Sequence, residues 1–224
     1  MTMTKLQNTK INNSWPVARE GIPFILTGGV ITLLFLYIGL LSLAILAAVM
    51  SLFTIFFFRD PERKKDGFGK AILPPADGKI LDIQYLDDDN NPLGEPAVKI
   101  SIFMSIFNVH INRVPVNGKI LKTAYHPGKF FSANLDKASE QNENNRITLQ
   151  ANNGCKIVFV QIAGLIARRI VCWIKEGDEV KAGQRFGLIR FGSRVETYLP
   201  YDTQIIAQPR HKVKAGKTII GYLS

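Results

Sequence analysis

Four short segments of the chain concentrate the small and polar residues that enzymes use for chemistry. One carries Asp77 in a Pro-Ala-Asp-Gly turn, two carry the histidines His110 and His126, and the fourth carries Ser193 directly after a glycine. A histidine exchanges protons near neutral pH, and a serine hydroxyl becomes a nucleophile when a neighbouring group activates it. These residues are therefore candidates for acid-base and nucleophilic chemistry. The segments are 74–78, 108–110, 125–130 and 191–194.

Several familiar active-site motifs are absent from the sequence. It contains no Gly-rich phosphate loop of the P-loop type, no Gly-x-Ser-x-Gly elbow, no His-Glu-x-x-His and no Cys-x-x-Cys. With three histidines and two cysteines in 224 residues, we expect neither a metal site nor a disulfide scaffold. Two thiols, Cys155 and Cys172, in a chain of this length indicate either a reducing compartment or a chance occurrence.

The Gly192-Ser193 pair is set apart by its neighbours. Apolar alternation predicts one strand over 188–191 and another over 194–199, so the pair lies where a sheet turns. A backbone at such a position can be held under strain. Glycine suits that position because it tolerates unusual φ and ψ angles.

Short strands are the main elements that must position these residues. Apolar alternation at period two predicts strands over 79–85, 98–104, 119–125, 146–150, 156–162 and 166–174, with a short surface helix at 133–142. The pattern favours a mainly β domain, a sandwich or barrel.

Two fragments of this β region occur twice. Residues 75–81 match 115–121, and residues 179–187 match 212–221. Their order suggests interleaved halves related by a pseudo-twofold axis. The Val-Lys-Ala-Gly turns in the second pair are similar to the hairpins of biotinyl and lipoyl carrier domains. We therefore expect a domain of the hybrid-motif type, which these carrier domains represent.

A long segment near the N-terminus indicates a membrane anchor. Residues 21–58 contain no Asp, Glu, Lys, Arg or His, and a bilayer core takes about 20 helical residues per span. We predict a transmembrane helical hairpin over 22–38 and 41–58 with its break near Gly39. The alternative is one tilted span with a re-entrant start at Gly28-Gly29.

Both flanks of the apolar segment are basic, which requires an even number of spans and keeps both flanks in the cytoplasm. We therefore expect a cytoplasmic tail at 1–20, an anchor at 21–58, a basic linker at 59–70 and a cytoplasmic domain at 71–224. We expect the net charge of +10 to attract the chain to anionic lipid headgroups at the membrane surface. Nucleic acid is not an expected partner.

Six blocks follow one another along the chain, at 59–63, 75–78, 108–118, 127–130, 134–140 and 191–193. Taken together they resemble the short, membrane-anchored type of phosphatidylserine decarboxylase proenzyme. The resemblance implies that the substrate is phosphatidylserine, that the product is phosphatidylethanolamine, and that the catalytic domain lies on the cytoplasmic side of the inner membrane.

The same resemblance implies self-processing between Gly192 and Ser193. The Ser193 hydroxyl would attack the Gly192 carbonyl, and the resulting ester would eliminate to leave a pyruvoyl group at residue 193. The products would be a β chain, 1–192, and an α chain, 193–224, that stay together as a heterodimer. The pyruvoyl group would form a Schiff base with the substrate amine, with no metal and no pyridoxal phosphate.

Further roles follow from the resemblance, residue by residue. His110 is the first candidate for proton transfer, with Asp77 beside it, and His126 competes for that role. Long-form relatives carry a second histidine where this chain has Arg113, which cannot act as a base but can bind phosphate or carboxylate. Lys129 and Phe130 are further candidates for substrate binding.

Two other functions fit the same sequence features. The first is decarboxylation of archaetidylserine by the same mechanism on a different lipid. The second is a non-enzymatic, membrane-tethered module that binds anionic lipid without processing.

Overall fold

The computed structural model describes residues 15–63, 69–133, 141–165, 169–190 and 192–224. It divides into two compact units, with the boundary between Glu62 and Arg63. Most of the predicted surface helix at 133–142 lies outside the described residues.

The N-terminal unit is a pair of apolar helices. Helix α1 covers Ile22–Tyr37 and helix α2 covers Leu41–Phe57. Between them Gly39 has a φ of +78°, a conformation that glycine adopts without strain, so the predicted break near Gly39 is confirmed. Arg19–Tyr37 is long and apolar enough to cross a membrane, which makes it a candidate anchor.

The larger unit is built on one curled antiparallel sheet of eight strands in the order β13-β2-β3-β11-β7-β6-β5-β9. The mainly β prediction is confirmed. The strands are β2 (Gly78–Leu86), β3 (Ala97–Met104), β5 (Gly118–His126), β6 (Asn144–Ala151), β7 (Lys156–Ala163), β9 (Glu179–Val180), β11 (Ser193–Pro200) and β13 (Lys212–Val213).

Two three-stranded sheets complete this unit, in the orders β1-β14-β12 and β4-β10-β8. The strand predicted at 166–174 extends too far at its C-terminal end, because β8 covers Ile170–Cys172. The Trp173 N–H still donates to the Phe186 carbonyl oxygen of the neighbouring β10 at 2.7 Å. The strands are β1 (Ala71–Ile72), β4 (Ile111–Arg113), β8 (Ile170–Cys172), β10 (Arg185–Ile189), β12 (Gln204–Ile205) and β14 (Gly221–Tyr222).

The predicted pseudo-twofold relation is confirmed by the strand order, but the halves are nested and not interleaved as predicted. Reading the large sheet from either edge pairs β13 with β9, β2 with β5, β3 with β6 and β11 with β7. Equivalent strands share details, because β2 and β5 each carry a register shift two residues after their first glycine. A Cβ on Gly78 or on Gly118 would overlap a backbone carbonyl oxygen of the neighbouring strand, at Phe103 and Gln150 respectively.

The repeated turns show the same symmetry in their hydrogen bonds. The Ala215 N–H donates to Asp77 Oδ1 at 2.9 Å, and the Ala182 N–H donates to Asn117 Oδ1 at 2.8 Å. Asp77 and Asn117 therefore hold equivalent turns in the two halves. One half uses a charged side chain for this contact and the other uses a neutral one.

The main core lies on the inner face of the large sheet. Along β11 the residues of one phase, including Val195 and Leu199, belong to this core, as expected for the period-two alternation of a strand. The other phase, including Tyr198, packs on the outer face against Val158, Val160 and Ile162. Ser193 is an even number of residues from Val195 and Leu199, so its side chain lies on the same inner face as theirs.

Candidate functional site

Ser193 is the first residue of β11, one of the two central strands of the large sheet. It lies opposite Met104 of β3 and Ala163 of β7, and it is fully buried. Its Oγ donates to the Met104 sulfur at 3.3 Å, a weak acceptor. The hydroxyl is thus withdrawn from bulk water and held on the inner face of the sheet.

Gly192 lies where the chain crosses from the small sheet to the large one. Strand β10 ends at Ile189 and β11 begins at Ser193, so the peptide that joins Gly192 to Ser193 immediately precedes the ladder. Gly192 has a φ of +62°, in the left-handed region that residues with a Cβ rarely adopt. The backbone before Ser193 therefore has the unusual conformation that its sequence context predicted.

A chain of buried amide side chains continues inward from Met104. Asn112 Nδ2 donates to the Met104 sulfur at 3.7 Å, Gln161 Nε2 donates to Asn112 Oδ1 at 2.8 Å, and Asn145 Nδ2 donates to Gln161 Oε1 at 3.0 Å. Sequence reasoning missed this network. A signal was available, because Asn145 and Gln161 are polar residues in the inward phase of otherwise apolar strands.

His110 lies at the same end of the molecule as the Gly192-Ser193 pair. It is 3% exposed and comes immediately before β4, whose first residue Ile111 lies opposite Leu188 near the end of β10. The structure therefore brings His110 to the end of β10 from which the chain runs to Gly192. A role for this buried imidazole in proton transfer stays a prediction.

The structure brings Asp77 together with Arg63, a partner that sequence reasoning had not linked to it. Arg63 Nη2 donates to Asp77 Oδ2 at 2.8 Å, and Nη1 contacts both Asp77 Oδ1 and the Ala215 carbonyl oxygen. Both side chains are buried. Asp77 thus joins the residue that follows the N-terminal unit to the repeated turn at 214–216.

Arg113 is also buried beside this turn. Its Nη1 donates to the Gly183 carbonyl oxygen at 2.8 Å, and its Cδ would lie 3.1 Å from a Cβ on Gly216. The side chain is fully buried. A role for Arg113 in substrate binding stays a prediction, and the contacts described here are to the protein's own backbone.

The structure does not bring His126 to Ser193. His126 is exposed and shares a row across the sheet with Asn144, Ile162 and Arg194. Arg194 is the neighbour of Ser193 along the strand, so its side chain lies on the opposite face. The residues of this row therefore lie on the outer face of the sheet. Three strand spacings separate β5 from β11, which is about 14 Å.

Lys129 and Phe130 lie in the connection between β5 and β6. The Lys129 backbone forms a bridge with Asn142, and its Nζ lies 5.8 Å from the centre of the Phe131 ring. Phe130 packs against the main core. Of the three predicted substrate-binding residues, Lys129 alone is exposed.

Arg194, the residue that follows Ser193, is held by polar and charged side chains on the outer face of the sheet. Arg194 is buried, its Nε lies 2.9 Å from Glu196 Oε1, and its Nη2 donates to Ser101 Oγ at 2.8 Å. Burial and the adjacent Glu196 carboxylate raise the pKa of Tyr198, which donates to Glu196 Oε2 at 2.8 Å. The start of β11 is therefore anchored from both faces of the sheet.

Cys172 is not an activated nucleophile. Burial raises the pKa of Cys172, and its Sγ donates to the Ile174 carbonyl oxygen at 3.4 Å, so the reactive thiolate is disfavoured. In the part of the chain that the structure describes, no group of three or more His, Cys, Asp or Glu residues is placed to hold a metal ion.

Comparison with known proteins gives a consistent result. A family model described as phosphatidylserine decarboxylase matches residues 50–221. The phosphatidylserine decarboxylase proenzyme of Syntrophus aciditrophicus is 52% identical over 206 residues, covering 92% of this chain and 96% of the relative. The proenzyme of Desulfotalea psychrophila is 50% identical over 208 residues, covering 93% and 97%. The chain therefore belongs to the phosphatidylserine decarboxylase family of enzymes.

Proposed function

We propose that this chain is a proenzyme that cleaves itself between Gly192 and Ser193 and then decarboxylates phosphatidylserine to phosphatidylethanolamine. The observation that carries the proposal is the buried Ser193 hydroxyl next to a left-handed Gly192, in a chain whose relatives are named proenzymes. Those relatives are named for phosphatidylserine, and no described contact favours archaetidylserine or a purely lipid-binding role.

The processing step requires only groups of the chain and water. Ser193 Oγ forms a bond to the Gly192 carbonyl carbon, the peptide C–N bond breaks, and the hydroxyl proton passes to the released amine. Loss of the Ser193 Cα proton then breaks the Oγ–Cβ bond, which leaves a carboxylate on Gly192 and dehydroalanine at residue 193. Water replaces the nitrogen of that residue, and ammonia leaves.

The surroundings of residue 193 fit the pyruvoyl group that these reaction steps would produce. A pyruvoyl group at residue 193 supplies a carbonyl that accepts electrons while an amino acid headgroup loses carbon dioxide. The Asn112 amide and the Ser193 hydroxyl both donate to the Met104 sulfur, so Asn112 is the amide donor closest in this network to a polar group at residue 193. His110 is proposed to deliver and remove protons at this end of the sheet.

Membrane attachment by residues 21–58 is part of the proposal. Most large apolar side chains of α1 and α2 are exposed, which is costly in water and favourable in lipid. Basic residues on both flanks support a cytoplasmic position for the rest of the chain. An impermeant thiol reagent that labelled Cys155 in intact cells would contradict this side.

The purified chain, incubated with phosphatidylserine vesicles, tests the proposal directly. We expect two polypeptides with the masses of 1–192 and 193–224, the second blocked to Edman degradation and reactive toward carbonyl reagents. Phosphatidylethanolamine and carbon dioxide should appear together. Decarboxylation by an uncleaved 25.0 kDa chain would contradict the proposal.

Paired histidine variants test the assignment of the proton carrier. We expect His110→Ala to slow cleavage or turnover by about 100-fold, the lower end of what acid-base catalysis contributes. His126→Ala should keep a rate close to that of the unmodified chain, because His126 is exposed on the opposite face. Gel-resolved cleavage and release of labelled carbon dioxide measure the two steps. Normal rates for His110→Ala in both would remove His110 from the mechanism.

A further inference from the structure

Gly164 lies directly beside the bond that is proposed to break. It follows Ala163, the last residue of β7 and the partner of Ser193 in the ladder, and it is buried. A Cβ on Gly164 would overlap the Gly192 carbonyl oxygen and would lie 3.0 Å from the carbonyl carbon. The carbonyl that Ser193 would attack therefore packs against the bare face of this glycine.

The backbone conformation does not explain a glycine at this position. Residues with φ in the left-handed region include Gly154, Gly177 and Gly192, and Gly164 is not among them. A left-handed φ is therefore not what requires glycine at residue 164. The feature that excludes a side chain at residue 164 is the Gly192 carbonyl group.

The position of Gly164 is itself fixed by buried contacts. Asn142 Nδ2 donates to the Ala163 carbonyl oxygen at 2.7 Å, and the Ala163 N–H donates to the Glu143 carbonyl oxygen at 2.9 Å. The Ala133 methyl also lies near, 3.3 Å from where a Cβ on Gly164 would be. Buried hydrogen bonds of the preceding residue therefore fix the backbone against which the Gly192 carbonyl packs.

We propose that Gly164 is a positioning residue for self-cleavage, a role that rests on the proposed processing at Gly192-Ser193. The bare face of Gly164 lets the Gly192 carbonyl take the orientation in which Ser193 Oγ can reach its carbon. Attack of this kind needs the reacting atoms about 3–3.5 Å apart and aligned, and a misplacement of about 1 Å can cost about 100-fold in rate. An alanine methyl at residue 164 forces a displacement of that order.

The central experiment is a time course of cleavage for Gly164→Ala in the full chain. We expect the intact 25.0 kDa species to persist, with cleavage slowed about 100-fold. Hydroxylamine at neutral pH cuts an ester and would release 193–224, whose mass differs from the fragments that slower cleavage of the Asn-Gly bonds at 117–118 and 153–154 would give. Release of 193–224 therefore reports whether the acyl shift has occurred. Gly164→Ala should release no 193–224, because the block precedes ester formation.

Gly118→Ala is the matched control. A Cβ there would overlap the Gln150 carbonyl oxygen in the same way, but Gly118 pairs with Ala151, at the far end of the sheet from Ser193. We expect this variant to lose thermal stability to a similar extent and still cleave at the normal rate. Ala133→Val, which adds bulk beside the space that a Cβ on Gly164 would occupy, should slow cleavage while Gly164 is intact.

The outcomes separate this inference from the proposed function. Normal cleavage of both Gly164→Ala and Ala133→Val would overturn the role of Gly164, and so would a hydroxylamine-sensitive ester that accumulates in Gly164→Ala. Equal slowing in Gly118→Ala would also overturn it, because the effect would then follow stability. Failure of the unmodified chain to release 193–224 would instead overturn the processing itself.

Discussion

Replacing Ser193 with alanine is expected to leave one intact 25.0 kDa polypeptide and to abolish decarboxylation. The variant lacks the hydroxyl that would form the ester, and it also lacks the oxygen whose elimination would generate the carbonyl at residue 193. Both losses come from one atom, so cleavage and turnover should disappear together. Intact-mass analysis and release of labelled carbon dioxide measure the two effects on the same sample.

Ser101→Ala is a suitable control for this variant. Ser101 is a fully buried serine on β3, the strand next to β11, where it lies opposite Glu196. Its hydroxyl accepts from Arg194 and has no part in the proposed steps. We expect Ser101→Ala to be cleaved. Phosphatidylethanolamine formed by Ser193→Ala would rule out a pyruvoyl group derived from that residue.

The second large effect is expected at Arg63. In Arg63→Met, the buried Asp77 carboxylate loses its ion pair and keeps the Ala215 N–H. Removing one partner of a buried pair costs about 3–5 kcal/mol, because the other charge stays in a poorly solvated site. Denaturant unfolding followed by the fluorescence of the buried Trp173 measures the loss. A Ser193→Ala background keeps every chain intact during the measurement.

The pseudo-symmetry supplies the matching rescue. In the other half, Asn117 holds the equivalent turn through the Ala182 N–H with a neutral amide. The double variant Arg63→Met, Asp77→Asn copies that arrangement, and we expect it to be about as stable as the parent, as when a buried ion pair is replaced as a unit. If the double variant stays as unstable as Arg63→Met, the two turns are not energetically equivalent.

The same double variant, made in a chain that keeps Ser193, tests whether these residues take part in self-cleavage. A stable chain that no longer cleaves would assign the Arg63–Asp77 pair a role in processing beyond the turn. A stable chain that cleaves normally would limit Asp77 to the contacts with Arg63 and Ala215.

Sequence reasoning reached the strands and the symmetry because both depend on short-range patterns. Apolar alternation identifies β2, β3 and β5 to β7 within a residue or two at each end, and the repeats at 75–81 and 115–121 occupy equivalent positions in β2 and β5. The break at Gly39 was accessible for the same reason. Local backbone preferences and local periodicity depend only on residues that are close together in the sequence.

The missed features depend on which distant residues meet. Gln161 and Asn112 are far apart along the chain, and their contact follows from how β7 and β4 stack across the core. Arg63 reads as one of several basic linker residues until the fold places Asp77 beside it. The role of Gly164 depends on a carbonyl nearly thirty positions away, so no local pattern could indicate it.

The palindromic strand order has a consequence for how such a chain can arise. The strands β4 to β10 form one continuous half, and their partners β1 to β3 and β11 to β14 lie on either side of it. End-to-end duplication of a gene would place one complete copy after the other. The arrangement found is that of one copy inserted into a loop of another, and Gly192-Ser193 lies at the seam where the outer copy resumes.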